Sequence, residues 1–108
     1  MPTPVGPANF SLGAGWGTGA IFSVFGTQRR CQITIVASIS PSINPTLTFV
    51  YPDGPYPLEP GILAKMVGGT GQFADVTYQP GIANTVFTYN ELPSVGQNYI
   101  FDLDVLGI

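Results

Sequence analysis

The chain contains no histidine. That removes the commonest general base, the commonest metal ligand, and every Ser-His or Cys-His nucleophile pair. A single cysteine, Cys31, excludes an internal disulfide framework and fits a protein made and assembled in a reducing cytosol. Charge is scarce: 8 % of residues are charged, against about 25 % in an ordinary soluble domain. Six acids face only Arg29, Arg30 and Lys65, for a net charge of -3. Nucleic acid as a partner is not expected, because its binders replace counterions with a basic patch. An anionic membrane surface is not expected either, on the same ground. No apolar run approaches the roughly 18 to 20 residues of a membrane span. The opening MPTPVGPANF has no basic segment followed by an apolar one, so no secretory signal is expected.

The 108 residues suit one domain that buries its own core without disulfide or metal staples. Mean hydropathy is +0.30. A free monomer with so little charge would have a poorly defended surface. Part of that surface is therefore expected to be covered, by copies of the same chain or by a larger assembly.

Residues 1–19 carry Pro2, Pro4 and Pro7, with glycines at 6, 13, 15, 17 and 19. Proline blocks helix, and glycine offers little to pack. Val5, Phe10, Leu12 and Trp16 are nevertheless spaced through the segment, and a disordered tail would be poor in such groups. An extended N-terminal arm is expected, ordered only when it lies on a neighbouring subunit, with Phe10, Leu12 and Trp16 as its partner-binding anchors. Fully extended, it would reach about 60 Å. Trp16, alone among glycines, either anchors that arm or plugs one end of the domain.

From Ala20 the pattern has period two. Ala20–Phe25 (AIFSVF) predicts a first strand, and Gly26-Thr27-Gln28 a turn. Cys31–Ser38 alternates Cys31, Ile33, Ile35 and Ala37 against Gln32, Thr34, Val36 and Ser38. Thr46–Tyr51 puts Leu47, Phe49 and Tyr51 on one face. Ile62–Val67 (ILAKMV) is apolar on both faces apart from Lys65, which suits a central strand or one that faces a partner. Phe73–Tyr78, Thr85–Tyr89 and Tyr99–Leu106 complete seven strands. Ser40-Pro41-Ser42, Asn44-Pro45, Pro52-Asp53-Gly54, Pro80-Gly81 and the Asn90–Gly96 connection punctuate them. No credible helix appears. The pattern predicts an all-β fold: a single β-sandwich, jelly-roll or immunoglobulin-like, over residues 20–108. Ile33, Ile35, Leu47, Phe49, Phe87, Phe101 and Leu103 are its expected core.

Candidate chemistry is thin. Asp102 and Asp104, at i and i+2 on one strand, point the same way with Cα atoms about 6.5 to 7 Å apart. Such a pair could serve glycoside hydrolysis or calcium, but calcium needs more oxygen ligands than the pair supplies. A solvated strand face, or charges that guard against mispairing, explains it more simply. Cys31 follows Arg29 and Arg30, which could depress a thiol pKa, yet it shares a face with Ile33 and Ile35 and reads as a buried, inert thiol. Gly15, Gly17 and Ala20 match a dinucleotide-binding spacing, but they lead into a strand rather than opening a helix, so the match is accidental. No enzyme activity, no cofactor and no metal is expected.

The series GWGTGA, SVFGT, ITI, NPTLTFVYPDGPY, FADVTY and NYIFDLDVLG, across residues 13–107, resembles a small all-β module of tailed-bacteriophage structural proteins. Such modules occur as fibre ends and as capsid decoration (cement) proteins. The family carries no catalytic residues. Fibre modules usually follow a long shaft, whereas here Met1 lies a short arm away, so a decoration protein is expected rather than a fibre tip. The resemblance implies a virion protein on the capsid surface, assembled in the host bacterial cytoplasm. It would be a homotrimer partnered with the major capsid protein. The alternative it leaves open is a tail-fibre or head-fibre tip that binds a host surface glycan.

Overall fold

The computed structural model describes residues 3–106. Met1 and Pro2 of the expected arm, and Gly107 at the end of the family likeness, lie outside them. Eight strands run in order: β1 (Phe10–Leu12), β2 (Ile21–Gly26), β3 (Arg30–Val36), β4 (Thr46–Val50), β5 (Gly61–Gly68), β6 (Val76–Pro80), β7 (Asn84–Tyr89) and β8 (Asn98–Leu106). Two single turns of 3-10 helix, Pro7–Asn9 and Ala14–Trp16, flank β1. The strands form two antiparallel four-stranded sheets, ordered β1-β4-β7-β6 and β2-β3-β8-β5, packed as a sandwich. Only β2–β3 and β6–β7 are hairpins; the other five connections cross between the sheets.

The seven strands predicted from alternation are all present. Period two sorts their side chains onto two faces, and the apolar set goes inward. All seven expected core residues are buried, joined by Cys31, Ala37, Tyr51, Ile62, Tyr89, Tyr99 and Val105. The core is rich in rings: Tyr89 lies 5.1 Å from Tyr99 between centroids, and Phe49 meets Tyr51 edge-on at 5.6 Å. Off-centre and edge-on ring pairs of this kind add to plain area burial.

The expected freely extended arm needs correction. Residues 3–19, as described, lie on their own sandwich. Val5 N donates to Gly26 O at 3.1 Å, Gln28 N to Thr3 O at 2.9 Å, and Gly13 N to Thr46 O at 2.8 Å. Phe10–Leu12 is an edge strand on β4, paired Phe10 to Phe49 and Leu12 to Leu47. The physical reason is local. Without β1, the inner faces of Leu47 and Phe49 would lack a neighbour at that edge, and Phe10 supplies one within the same chain.

Candidate interaction surface

The three expected anchors are used internally. Phe10 is buried and stacks on Phe49 at 4.7 Å, with the rings 11° apart. Leu12 is half-buried against the core. Trp16 is 1 % exposed. Its indole Nε1 donates to the carbonyl of Thr46 at 3.0 Å, and its ring meets Tyr89 and Tyr99, each at 5.5 Å. Of the two roles open to Trp16, the structure shows the core plug. Gly17, at φ 105°, lets the chain leave the indole in a direction an L side chain rarely permits.

The acidic pair lies on the outer face of β8. Asp102 accepts a hydrogen bond from Gln32 Nε2 at 3.0 Å and faces Lys65 across the strands. Asp104 sits 3.6 Å from the Arg30 guanidinium. Among the described residues, no three His, Cys, Asp or Glu side chains are grouped to hold a metal. Cys31 is buried, and burial, with Asp104 and Asp102 adding to it, pushes its thiol up to about 12. Such a thiol is a poor nucleophile at neutral pH. Ile62–Val67 is not central: among the described residues β5 ends its sheet and pairs with β8.

The surface that stands out lies elsewhere. At one end of the sandwich, residues 37–45 join β3 to β4 and residues 90–97 join β7 to β8. Backbone bonds tie these loops together: Ala37 N to Gln97 O at 3.0 Å, Gly96 N to Ala37 O at 2.9 Å, and Asn44 N to Glu91 O at 3.2 Å. Thr18 N binds Ile39 O at 2.9 Å, which brings the start of β2 alongside. On this frame Ile21, Ile39, Ile43, Leu92 and Val95 are all at least half-exposed. The two loops together contain one charged residue, Glu91. Ser40 (φ 60°) and Asn44 (φ 58°) hold left-handed conformations beside Ile39 and Ile43. Backbone strain of that kind persists only where surrounding structure over-determines it.

The opposite end carries a polar cluster beside two exposed apolar residues, Leu58 and Ile82. Asp53 accepts from Thr3 Oγ1 at 2.5 Å and from Gln28 Nε2 at 2.6 Å, while Tyr56 donates to Gln28 Oε1 at 2.5 Å. Arg29 and Glu59 lie in the same set of loops.

Sequence reasoning passes over Ile39, Ile43, Leu92 and Val95, because the prolines and serines around them mark those stretches as connections. The available signal is their size, since nothing in a tight loop calls for four large apolar groups. The family models, the curated proteins and the solved structures yield no match to this chain.

Proposed function

We propose that the chain is a structural protein of a tailed-phage virion, a decoration or cement protein that seats its apolar loop end across junctions between major capsid protein subunits. The observation that carries this is the end bearing Ile21, Ile39, Ile43, Leu92 and Val95, whose two loops contain one charged residue, Glu91. Isolated exposed apolar residues are ordinary, but a contiguous rimmed group marks an interaction site. Covering it yields about 25 cal/mol per Å² before the costs of association. The work is mechanical, with no reaction, cofactor or metal assigned. Nucleic acid and membrane are not partners in this account. Self-association belongs to it, and the family resemblance implies a trimer.

The fibre-tip alternative needs exposed aromatics that converge on a sugar. Phe25 is exposed on β2, at one edge of the sandwich, whereas Phe73 and Tyr78 are exposed beside the other edge. The capsid role is therefore favoured. Cryo-electron microscopy of particles formed in the presence of the chain tests it. Density over capsid subunit junctions supports the proposal; density at the tail tip supports the fibre alternative; particles without the chain overturn both.

A further inference from the structure

Four strands end the two sheets, and three of them are protected. β1 is only three residues long. β6 has five and closes on Pro80, which lacks an N–H. At β2, Gly26 O is taken by Val5 N, Pro4 bridges Thr27, and the Pro7–Asn9 turn packs alongside. β5 is different. It has eight residues, GILAKMVG, with no proline, and its register shift falls only between Met66 and Gly68 at the far end. Leu63 and Val67 are exposed on it, and Lys65 is its single charge. Natural edge strands of that length and polarity are normally blunted or covered.

Beside this edge runs a groove of about 450 Å³, walled by Ala64, Lys65 and Met66 on one side and Phe73–Thr77 on the other. Ala64, Met66, Ala74 and Val76 are half-buried there, and Phe73 stands exposed at its rim. Lys65 and Asp75, one of each sign, make no ion pair among the described residues. A lining with one cation, one anion, an apolar knob and an apolar hollow complements itself. Self-complementarity is what a two-fold contact between identical chains requires.

We propose that β5 pairs antiparallel with β5 of a second copy, joining two four-stranded sheets into one of eight strands. Centred on Ala64, the register sets Leu63 opposite Lys65 of the second copy, so the two ammonium groups do not meet. Leu63 also faces Asp104 of β8. The incoming ammonium therefore lies two strands from that carboxylate, on the same face, about 10 Å away. Main-chain hydrogen bonds along the edge supply the affinity, as in other strand additions. The unit of self-association is then a two-fold pair rather than the trimer implied by the family resemblance. The pairing goes beyond the capsid proposal and stands whether or not the loop end binds a capsid.

The test uses the full chain in solution, without particles. Light scattering after gel filtration, at micromolar concentration, is expected to give twice the 11.4 kDa chain mass. Backbone hydrogen exchange in residues 61–68 is expected to slow as concentration rises through the dimer range. Leu63→Lys sets a like charge opposite Lys65 of the second copy; combined with Val67→Lys, which adds a charge opposite Gly61, it should weaken the dimer about tenfold or more, with an unchanged far-ultraviolet spectrum. A monomer throughout, a trimer, or a dimer whose β5 exchange ignores concentration overturns the proposal. Exchange on the unmodified chain decides the matter even if the double variant does not fold.

Discussion

Trp16 carries more of the fold than any other side chain in the first nineteen residues. It fills the space among Leu47, Phe87, Tyr89, Phe101 and Leu103, beside a void of only about 10 Å³. Truncation to alanine leaves a cavity and removes one of the two hydrogen bonds to the Thr46 carbonyl, and is expected to cost about 3 to 5 kcal/mol, read by urea denaturation. That is a large share of the roughly 5 to 15 kcal/mol that holds a domain together. Gly71 is a second sensitive point, because a Cβ there would fall within the Tyr99 ring. Gly71→Ala is expected to destabilise by about 1 to 3 kcal/mol. Four buried or part-buried acids make stability depend on alkaline pH, since burial also raises Tyr51 and Tyr56, and Cys31 and Tyr89 move furthest. Burial, with Tyr99 and Glu91 adding to it, pushes the Tyr89 hydroxyl from 10.0 up to about 12, as burial pushes the Cys31 thiol from 9.0 to about 12. Both are acids whose folded pKa is raised, so the folded state holds its protons longer than the unfolded one. Their contribution is complete below about pH 9 and is lost as pH climbs towards 12. Denaturant midpoints should therefore fall steadily across that window, and a midpoint that rises there would contradict these assignments.

At the scale of elements, local pattern makes β2 to β8 legible in the sequence, by period two in most of them and, for β5, by a short apolar run bounded by glycines. β1 is not legible there. Phe10-Ser11-Leu12 is too short to show a period, and the prolines and glycines around it resemble those of a linker. Its place follows from a long-range need, the open edge of β4. The position of β5 is hidden for a similar reason. ILAKMV is apolar on both faces, as a central strand would be, and its pairing with the distant β8 is a long-range contact that its own residues do not display. The loop end is hidden because Ser, Pro and Asn signal turns, whatever lies between them. Two substitutions probe these elements. Ser40→Gly relieves a left-handed conformation and is expected to raise stability by up to about 1 kcal/mol. A loss instead would mean that the Ser40 side chain holds the loop. Asp102→Asn with Asp104→Asn should leave the fold and self-association intact. One calcium ion per chain, found by elemental analysis of the unmodified protein, would mean that the acidic pair is a site after all.

At the scale of the molecule, a body 38 Å long and about 22 Å across has an apolar loop end, an opposite end of mixed character, and one open strand edge along its side. The sparse charge of the sequence is thus distributed unevenly. The end opposite the apolar loops holds Arg29, Asp53 and Glu59, and the outer face of β8 holds Asp102 and Asp104 with Arg30 and Lys65 as neighbours. This leaves the loops around Ile39, Ile43, Leu92 and Val95 almost bare of charge. An apolar end on a rigid sandwich suits a protein that works by covering a junction in something larger. The most direct measurement is co-sedimentation with phage heads of the unmodified chain and of a variant carrying Ile43→Lys and Leu92→Lys. Both sites are exposed, so the variant should keep its melting temperature within a few degrees. The account expects it to lose head binding by about tenfold or more. Undiminished binding by a folded variant would contradict the docking role of the loop end.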